Sequence, residues 1–380
     1  IIERLREIFK VDEVIGKMRK KNKFNFQKKF KNKKVLVTGH TGFKGSWLTS
    51  CLLLLGAKVI GLSINVPSNP SHFKAINLQN KINHKKMDIR NLKLLKKIFK
   101  KYQPDYVFHL AAQSLVKKSY SDPTYTWETN TIGTLNVLES LREIKKNCVA
   151  VLITSDKSYK NLEIKRGYKE SDILGGKDPY SASKASAELA IQSYISSFFP
   201  LKKTKVLIGI ARAGNVIGGG DWSENRIIPD CVKSWSKNKK VLIRNPKSTR
   251  PWQHVLEVVW GYLLLSLSLK KNKKLHGEAF NFGPNHKKNY SVISLVKLMK
   301  KNWKDISWKV IRKNSKNFHE SNLLKLNCNK AKTKLKWKSV LSFYETINMV
   351  ADWYKSYYSK PKKIYKTSFY QIRKYEKLLK

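Results

Sequence analysis

From Lys33 onward, short apolar runs alternate with segments whose apolar side chains recur every three to four positions. The runs are "KVLVTG", "KVIGLSI", "KKMDI", "DYVFHLAA", "VAVLITS" and "KVLIGIARAGNVIG". Between them lie helical patterns: one after Gly42, "NLKLLKKIFKKY", one from about Tyr125 to Lys145, and one from Tyr180 to about Phe199. A strand that is apolar without alternation is covered on both faces, and a helix after each such strand supplies the cover. The pattern therefore predicts a doubly wound α/β fold built on a parallel sheet. Beyond Gly220 the alternation weakens into short strands, Trp-rich helices and loops that end in "FYETINMVADWYKSYY", which predicts a smaller mixed lobe. Residues 1–30 carry an amphipathic pattern ("IIERLREIFKVDEVIGKM") and a basic connector, and are expected to lie outside the main fold. The expected division is thus an extension at 1–30, a nucleotide-binding domain at 31–205, a second lobe at 206–359 partly interleaved with the sheet, and a basic tail at 360–380.

Composition changes this picture little. Apolar residues make up 41% of the 380, enough for a large core. No apolar stretch approaches the ~18 residues a membrane helix needs, since "WLTSCLLLLGAKVIGLSI" is broken by Gly56 and Lys58. The opening residues are charged throughout and lack the apolar segment of a signal peptide, so a cytoplasmic location and no membrane partner are expected. Cys51, Cys148, Cys231 and Cys328 are far apart, without zinc-ligand spacing, and are expected to be reduced thiols with no metal. The net charge of +52 by itself suggests nucleic acid. However, only 12 of the 78 basic residues are arginine, and lysine is spread over every segment instead of forming one stripe. No nucleic-acid partner is expected, although the charge would speed the arrival of an anionic substrate.

Three motifs carry chemistry. In "VLVTGHTGFKGSWL", Gly39, Gly42 and Gly45 follow a buried strand and open a helix. That arrangement provides a tight turn, close backbone approach and a helix N-terminus facing a pyrophosphate. The acid that commonly holds the ribose at the end of the second strand is absent, because "GLSIN" offers only Ser63 and Asn65; NAD and NADP both remain open at this position. In "DPYSASK", Tyr180 and Lys184 stand four apart on one helical face, where the ammonium and a nicotinium ring would draw the phenol's pKa down toward the working range. Ser155, at the end of the strand "VAVLITS", is placed to hold the hydroxyl that Tyr180 deprotonates.

"TGHTGFKG", "DIR", "FHLAAQ", "NTIGTLNVLE", "TSDK" and "DPYSASK", in this order, resemble the extended short-chain dehydrogenase/reductases that act on nucleotide-sugars. "GHTGFKGSWL", "LGGKDPYSASK", "ARAGNVIGGGDW" and "RPWQHVLE" are similar to the CDP-glucose 4,6-dehydratase family within them, and the resemblance runs from about Lys33 to Tyr358. It implies tightly held NAD, with cofactor roles for Gly39, Thr41, Gly42, Phe43, Gly45, Asp88, Ile89, Leu110, Ala111, Ala112 and Asn130, together with Tyr180 and Lys184. It further implies a catalytic set of Ser155, Asp156, Lys157, Tyr180 and Lys184. Substrate contacts are expected from Gln113 to the hexose, from Asn215 to the sugar-phosphate, from Arg226 and Arg250 to the diphosphate unless either serves a structural salt bridge, and from Trp252 and His254 near the base unless they serve packing.

The implied reaction oxidises C4 of the hexose, eliminates water across C5 and C6, and reduces C6, turning CDP-glucose into its 4-keto-6-deoxy derivative for deoxysugars of surface polysaccharide. Related dTDP-glucose enzymes use an Asp-Glu pair for the elimination, whereas Asp156 and Lys157 stand here. Asp156 as the acid at O6 calls for a raised pKa, which burial supplies. Lys157 could take the C5 proton only as a neutral amine; otherwise it positions Asp156 or the keto oxygen. The alternatives are another nucleotide-sugar dehydratase or a 4-epimerase, which needs no eliminating pair, and a basic nucleic-acid-binding protein on an inert nucleotide fold. A homodimer or homotetramer is expected by analogy with the family.

Overall fold

Seven parallel strands form the central sheet of this computed structural model, which describes residues 25–379 apart from 165, 225, 244, 285–289, 304–305 and 312–323. The strands are β1 (Lys34–Thr38), β2 (Lys58–Ser63), β3 (Asn83–Lys86), β4 (Tyr106–His109), β5 (Cys148–Ile153), β6 (Val206–Ala213) and, after the short β7 (Val216–Ile217), β8 (Ala279–Phe282). Their order across the sheet is β8-β6-β5-β4-β1-β2-β3. Every neighbouring pair is parallel. The chain winds one way through β1, β2 and β3 and the other way from β4, so a crevice opens at the carboxyl ends of β1 and β4.

Both faces are covered, as the uninterrupted apolar runs require. On one face Val35, Val37, Phe108, Val151 and Ala211 pack with helix α1 (Phe43–Leu54) and helix α4 (Val255–Lys271). On the other, Leu36, Val107, Ala150 and Ile208 pack with helices α2 (Leu92–Tyr102) and α3 (Pro179–Phe198) and with the segment Gly133–Leu141. The helical pattern expected from Tyr125 to Lys145 is realised as Pro123–Trp127, a π-helical turn at Glu128–Ile132 and Gly133–Leu141. Such a turn re-aims the side chains that follow it.

Both ends of the described chain depart from the expected division. Asn25 caps a short helix at Phe26–Phe30, whose Phe26 ring meets Trp260 edge-on at 4.8 Å and whose Phe30 lies 4.9 Å from Tyr106. Phe30 belongs to the core and Phe26 packs half-buried against it, because their aromatic faces have nowhere drier to go. The amphipathic pattern ahead of them falls on residues 1–24, outside the described residues. The basic tail is likewise no appendage. Helix α5 (Ile364–Leu378) buries Ile372 and Tyr375 fully, and the Tyr375 hydroxyl donates to Glu257 at 2.8 Å. Its basic residues lie on the outward face, which hid the packed one. No described helix is long and apolar enough to cross a membrane.

Candidate active site

A cleft of about 1580 Å³ lies at the carboxyl ends of β1, β4, β5 and β6, between the sheet and the second lobe. Its floor is the glycine turn. Gly39 has φ +73°, and a Cβ there would stand 2.6 Å from the Ala111 nitrogen; a Cβ on Gly45 would stand 2.1 Å from the Gly39 oxygen. Only glycine lets the strand, turn and helix close this tightly. Gly42 caps α1 without a side-chain hydrogen bond, which leaves the helix N-terminus open to the cleft. Thr41, Phe43, Asp88, Ile89, Leu110, Ala111 and Ala112 line the cleft beside it. This cradle fits a dinucleotide: an N-terminus for the pyrophosphate, apolar walls and a carboxylate at Asp88. Burial opposes ionisation of Asp88, yet Arg90 donates to it through Nε at 2.9 Å and a terminal nitrogen at 2.8 Å, holding its pKa below the usual value. At the second strand Ser63 is engaged internally, accepting from the Thr41 amide and pairing with His40 at 3.0 Å, while Asn65 lies on the wall.

The chemistry gathers at the end of β5. Ser155 donates to Asp156 Oδ1 at 3.1 Å and accepts from the Lys157 amide at 3.2 Å, capping a single turn at Asp156–Ser158 that presents both side chains to the cleft. From α3, Tyr180 enters the cleft close enough to Ser155 for that hydroxyl to pull its pKa down, and Lys184 Nζ donates to the Ile153 carbonyl at 3.1 Å. Asp178 caps α3 through the Ser181 amide and so sets where Tyr180 emerges. One turn below Lys184, Glu188 accepts from Thr154 at 2.9 Å and is ion-paired with the buried Arg212, tying α3 to the strand end that carries the site.

Burial raises the Asp156 pKa against the pull of Lys157, Ser155 and Lys44, so its carboxyl can keep a proton where an exposed aspartate would not. Burial lowers Lys184 to about 8, with Lys44 adding to the fall and Glu188 opposing it. The expected fall of the Tyr180 pKa calls on Lys184 and a nicotinium ring together, and the protein's own groups act on balance in the other direction. Its phenol is pushed up to about 12, first by burial and further by Asp156 and Asp178, against Ser155 and Arg226. Lys184 is bonded to the Ile153 carbonyl instead, so its ammonium does not by itself hold Tyr180 as a phenolate.

Three other expected contacts are differently placed. Asn130 is buried behind the wall: its Nδ2 donates to the Gln113 carbonyl and to Ser183, and its Oδ1 accepts from the Gln113 amide at 2.8 Å. It fixes the wall without lining it. Gln113 is also turned inward, its side chain bonded to the Leu115 backbone and Thr126, so Ser114 and Leu115 line the cleft in its place. His254 is fully buried at the start of α4, edge-on to Trp47, and is no part of a base pocket. Arg226 lines the cleft but is paired with Asp221 at 2.7 Å, within electrostatic reach of Tyr180. Asn215, Arg250 and Trp252 line the second-lobe side, where the Trp252 indole donates to the Tyr290 carbonyl at 2.9 Å. The cysteines are free, and three of them are buried. The described residues hold no cluster suited to a metal ion.

Sequence reasoning passed over Lys44 and Asp221. Lys44 carried a signal: a cation in the first turn of a helix opposes the helix dipole and is rarely placed there without a reason.

Residues 36–350 match the family described as GDP-mannose 4,6 dehydratase. The chain is 41% identical over 86% of its length to CDP-glucose 4,6-dehydratase of Salmonella typhimurium, covering 92% of that protein. A UDP-glucose 4-epimerase from Thermotoga maritima, solved with UDP-glucose, superposes with a TM-score of 0.72 at 25% identity, over 85% of this chain and 99% of that one. A dTDP-glucose 4,6-dehydratase from Streptomyces venezuelae, solved with NAD, shares the fold at TM-score 0.70 and 21% identity, over 85% of this chain and 97% of that one. With the sheet order, the glycine turn and the Ser155, Tyr180 and Lys184 cluster in place, the chain belongs to the GDP-mannose 4,6 dehydratase family.

Proposed function

We propose that the protein converts CDP-D-glucose to CDP-4-keto-6-deoxy-D-glucose and water, with NAD held on the glycine turn, as a cytoplasmic homo-oligomer. The observation that carries this reading is the convergence of Ser155, Tyr180 and Lys184 with a buried Asp156 and an adjoining Lys157 at one strand end. A 4-epimerase needs the first three and has no use for an eliminating pair.

Bound NAD supplies a hydride acceptor at C4 and the same hydride for C6. Tyr180 takes the proton from the C4 hydroxyl, which Ser155 holds, and the positive charge of the oxidised cofactor offsets the burial that raises its pKa. The C4 ketone acidifies the hydrogen on C5. Asp156, kept protonated by burial, gives its proton to the C6 oxygen, which leaves as water. Lys157, next along the same turn, takes the proton from C5 and returns it after C6 is reduced. Lys184 fixes the strand end through the Ile153 carbonyl.

Substituting Lys157 by Met is expected to abolish exchange of solvent deuterium into C5 while C4 oxidation continues; unimpaired exchange and turnover would remove Lys157 as the base. For substrate choice, CDP-, dTDP-, GDP- and UDP-glucose are each incubated with the protein, and the 4-keto product is read by its absorbance in base. Turnover of CDP-glucose is expected, and activity on dTDP-glucose alone would overturn the assignment.

A further inference from the structure

Lys44 stands on α1 inside the cleft, in the region where the glycine turn, the β5 end and the second lobe meet. Its ammonium has neither a hydrogen bond nor an ion pair to any described residue. Three circumstances disfavour a cation there. The helix dipole places partial positive charge at this end of α1, and the first turn holds no acid. Arg226 approaches from the second lobe and Lys184 from α3, both close enough to repel it. Asp156 is within electrostatic reach but forms no ion pair with it and must carry a proton to act as an acid, and Asp221 is already taken by Arg226. Burial first, then repulsion from Arg226, brings Lys44 down to about 8 against the pull of Asp156. A charged group held in a cleft against so much opposition is placed for an anion that arrives from outside.

We propose that Lys44 is a ligand-binding residue whose ammonium donates to a diphosphate oxygen in the cleft, adding a side-chain cation to the amides of the glycine turn. The inference rests on the reading that this cleft takes a dinucleotide and a nucleotide-sugar, and either supplies the chemistry it requires. The α1 N-terminus favours the cofactor's diphosphate, whereas the approach of Arg226 favours the sugar nucleotide's.

Calorimetric titration of the full chain with NAD, and separately with CDP, separates the two sources. K44M is compared with wild type and with K44R, which keeps the charge, and thermal melting establishes that each variant is folded; K44Q stands in should K44M not fold. A charge-assisted bond lost to K44M weakens the affected ligand about 10- to 100-fold, and K44R recovers most of it. Weakening of NAD alone assigns the cofactor's diphosphate, and weakening of CDP alone assigns the substrate's. Wild-type affinity of K44M for both ligands overturns the inference and leaves the proposed function standing. A wild-type chain that binds neither overturns that function and the inference with it.

Discussion

Asp156→Asn is expected to uncouple the reaction, leaving oxidation at C4 and slowing the loss of water about 10²- to 10⁴-fold, the range for loss of a general acid. The substitution keeps size and leaves an oxygen to accept from Ser155, so the turn that presents the side chain is retained. Burial raises the Asp156 pKa and so favours the protonated acid, and an amide has no proton of comparable acidity to give to O6. The mutant should therefore accumulate a 4-keto sugar that still carries its C6 hydroxyl, detected by quenching and mass spectrometry. Tyr180→Phe should lose a comparable factor without forming any keto sugar, because it fails one step earlier. Wild-type turnover by Asp156→Asn would sink the assignment of the acid, and keto-sugar formation by Tyr180→Phe would sink that of the first base.

Stability is expected to fall steeply between about pH 6.5 and pH 4. Four histidines are buried: His40, His72, His109 and His254. His109 bridges Thr38 at 2.7 Å and Thr134 at 3.1 Å beneath β4, and His72 stacks on Trp47 at 4.3 Å while meeting Ser46 and Ser368. Burial lowers His40 to about 4 and the other three to about 3, with His84 adding to the fall of His40 and Lys184 to that of His109. Below pH 6.5 the unfolded chain therefore takes up protons that the folded chain refuses, and stability declines as pH falls until the folded values are reached. At pH 5 each site costs on the order of 2 kcal/mol, and four together consume much of the ~5–15 kcal/mol that keeps a domain folded. Urea midpoints at pH 7.5 and pH 5 measure this directly. Asp88, Asp105 and Asp172 titrate below their usual range and add nothing to the loss above pH 5, whereas Asp156, Glu170 and Glu257, raised by burial, take up protons in the folded protein as pH falls and oppose it, so a net loss over this interval reports the histidines. A midpoint unchanged over that interval would refute the prediction.

Local rules determined a great deal from the sequence alone. The double-sided apolar runs gave the parallel sheet, because a strand covered on both faces leaves no polar alternation to misread. The three glycines gave the turn, because Gly39 and Gly45 sit where a Cβ would collide with backbone. Tyr180, Lys184 and Ser155 were legible because each lies where a strand ends or a helix begins, and that is where a doubly wound fold exposes chemistry. Tertiary structure alone decided what depends on contacts between distant segments. Asn130 and Gln113 satisfy each other's polar groups across the wall, and His254 is sealed against Trp47, so matching a motif did not place these side chains in the cleft. Phe26, Phe30 and Tyr375 join the core because partners exist for them in three dimensions that no periodicity records. The balance of charge was decided in the same way. Lys44, Arg226, Asp156 and Tyr180 come from four separate segments, and only their convergence in a buried cleft sets which of them holds its proton.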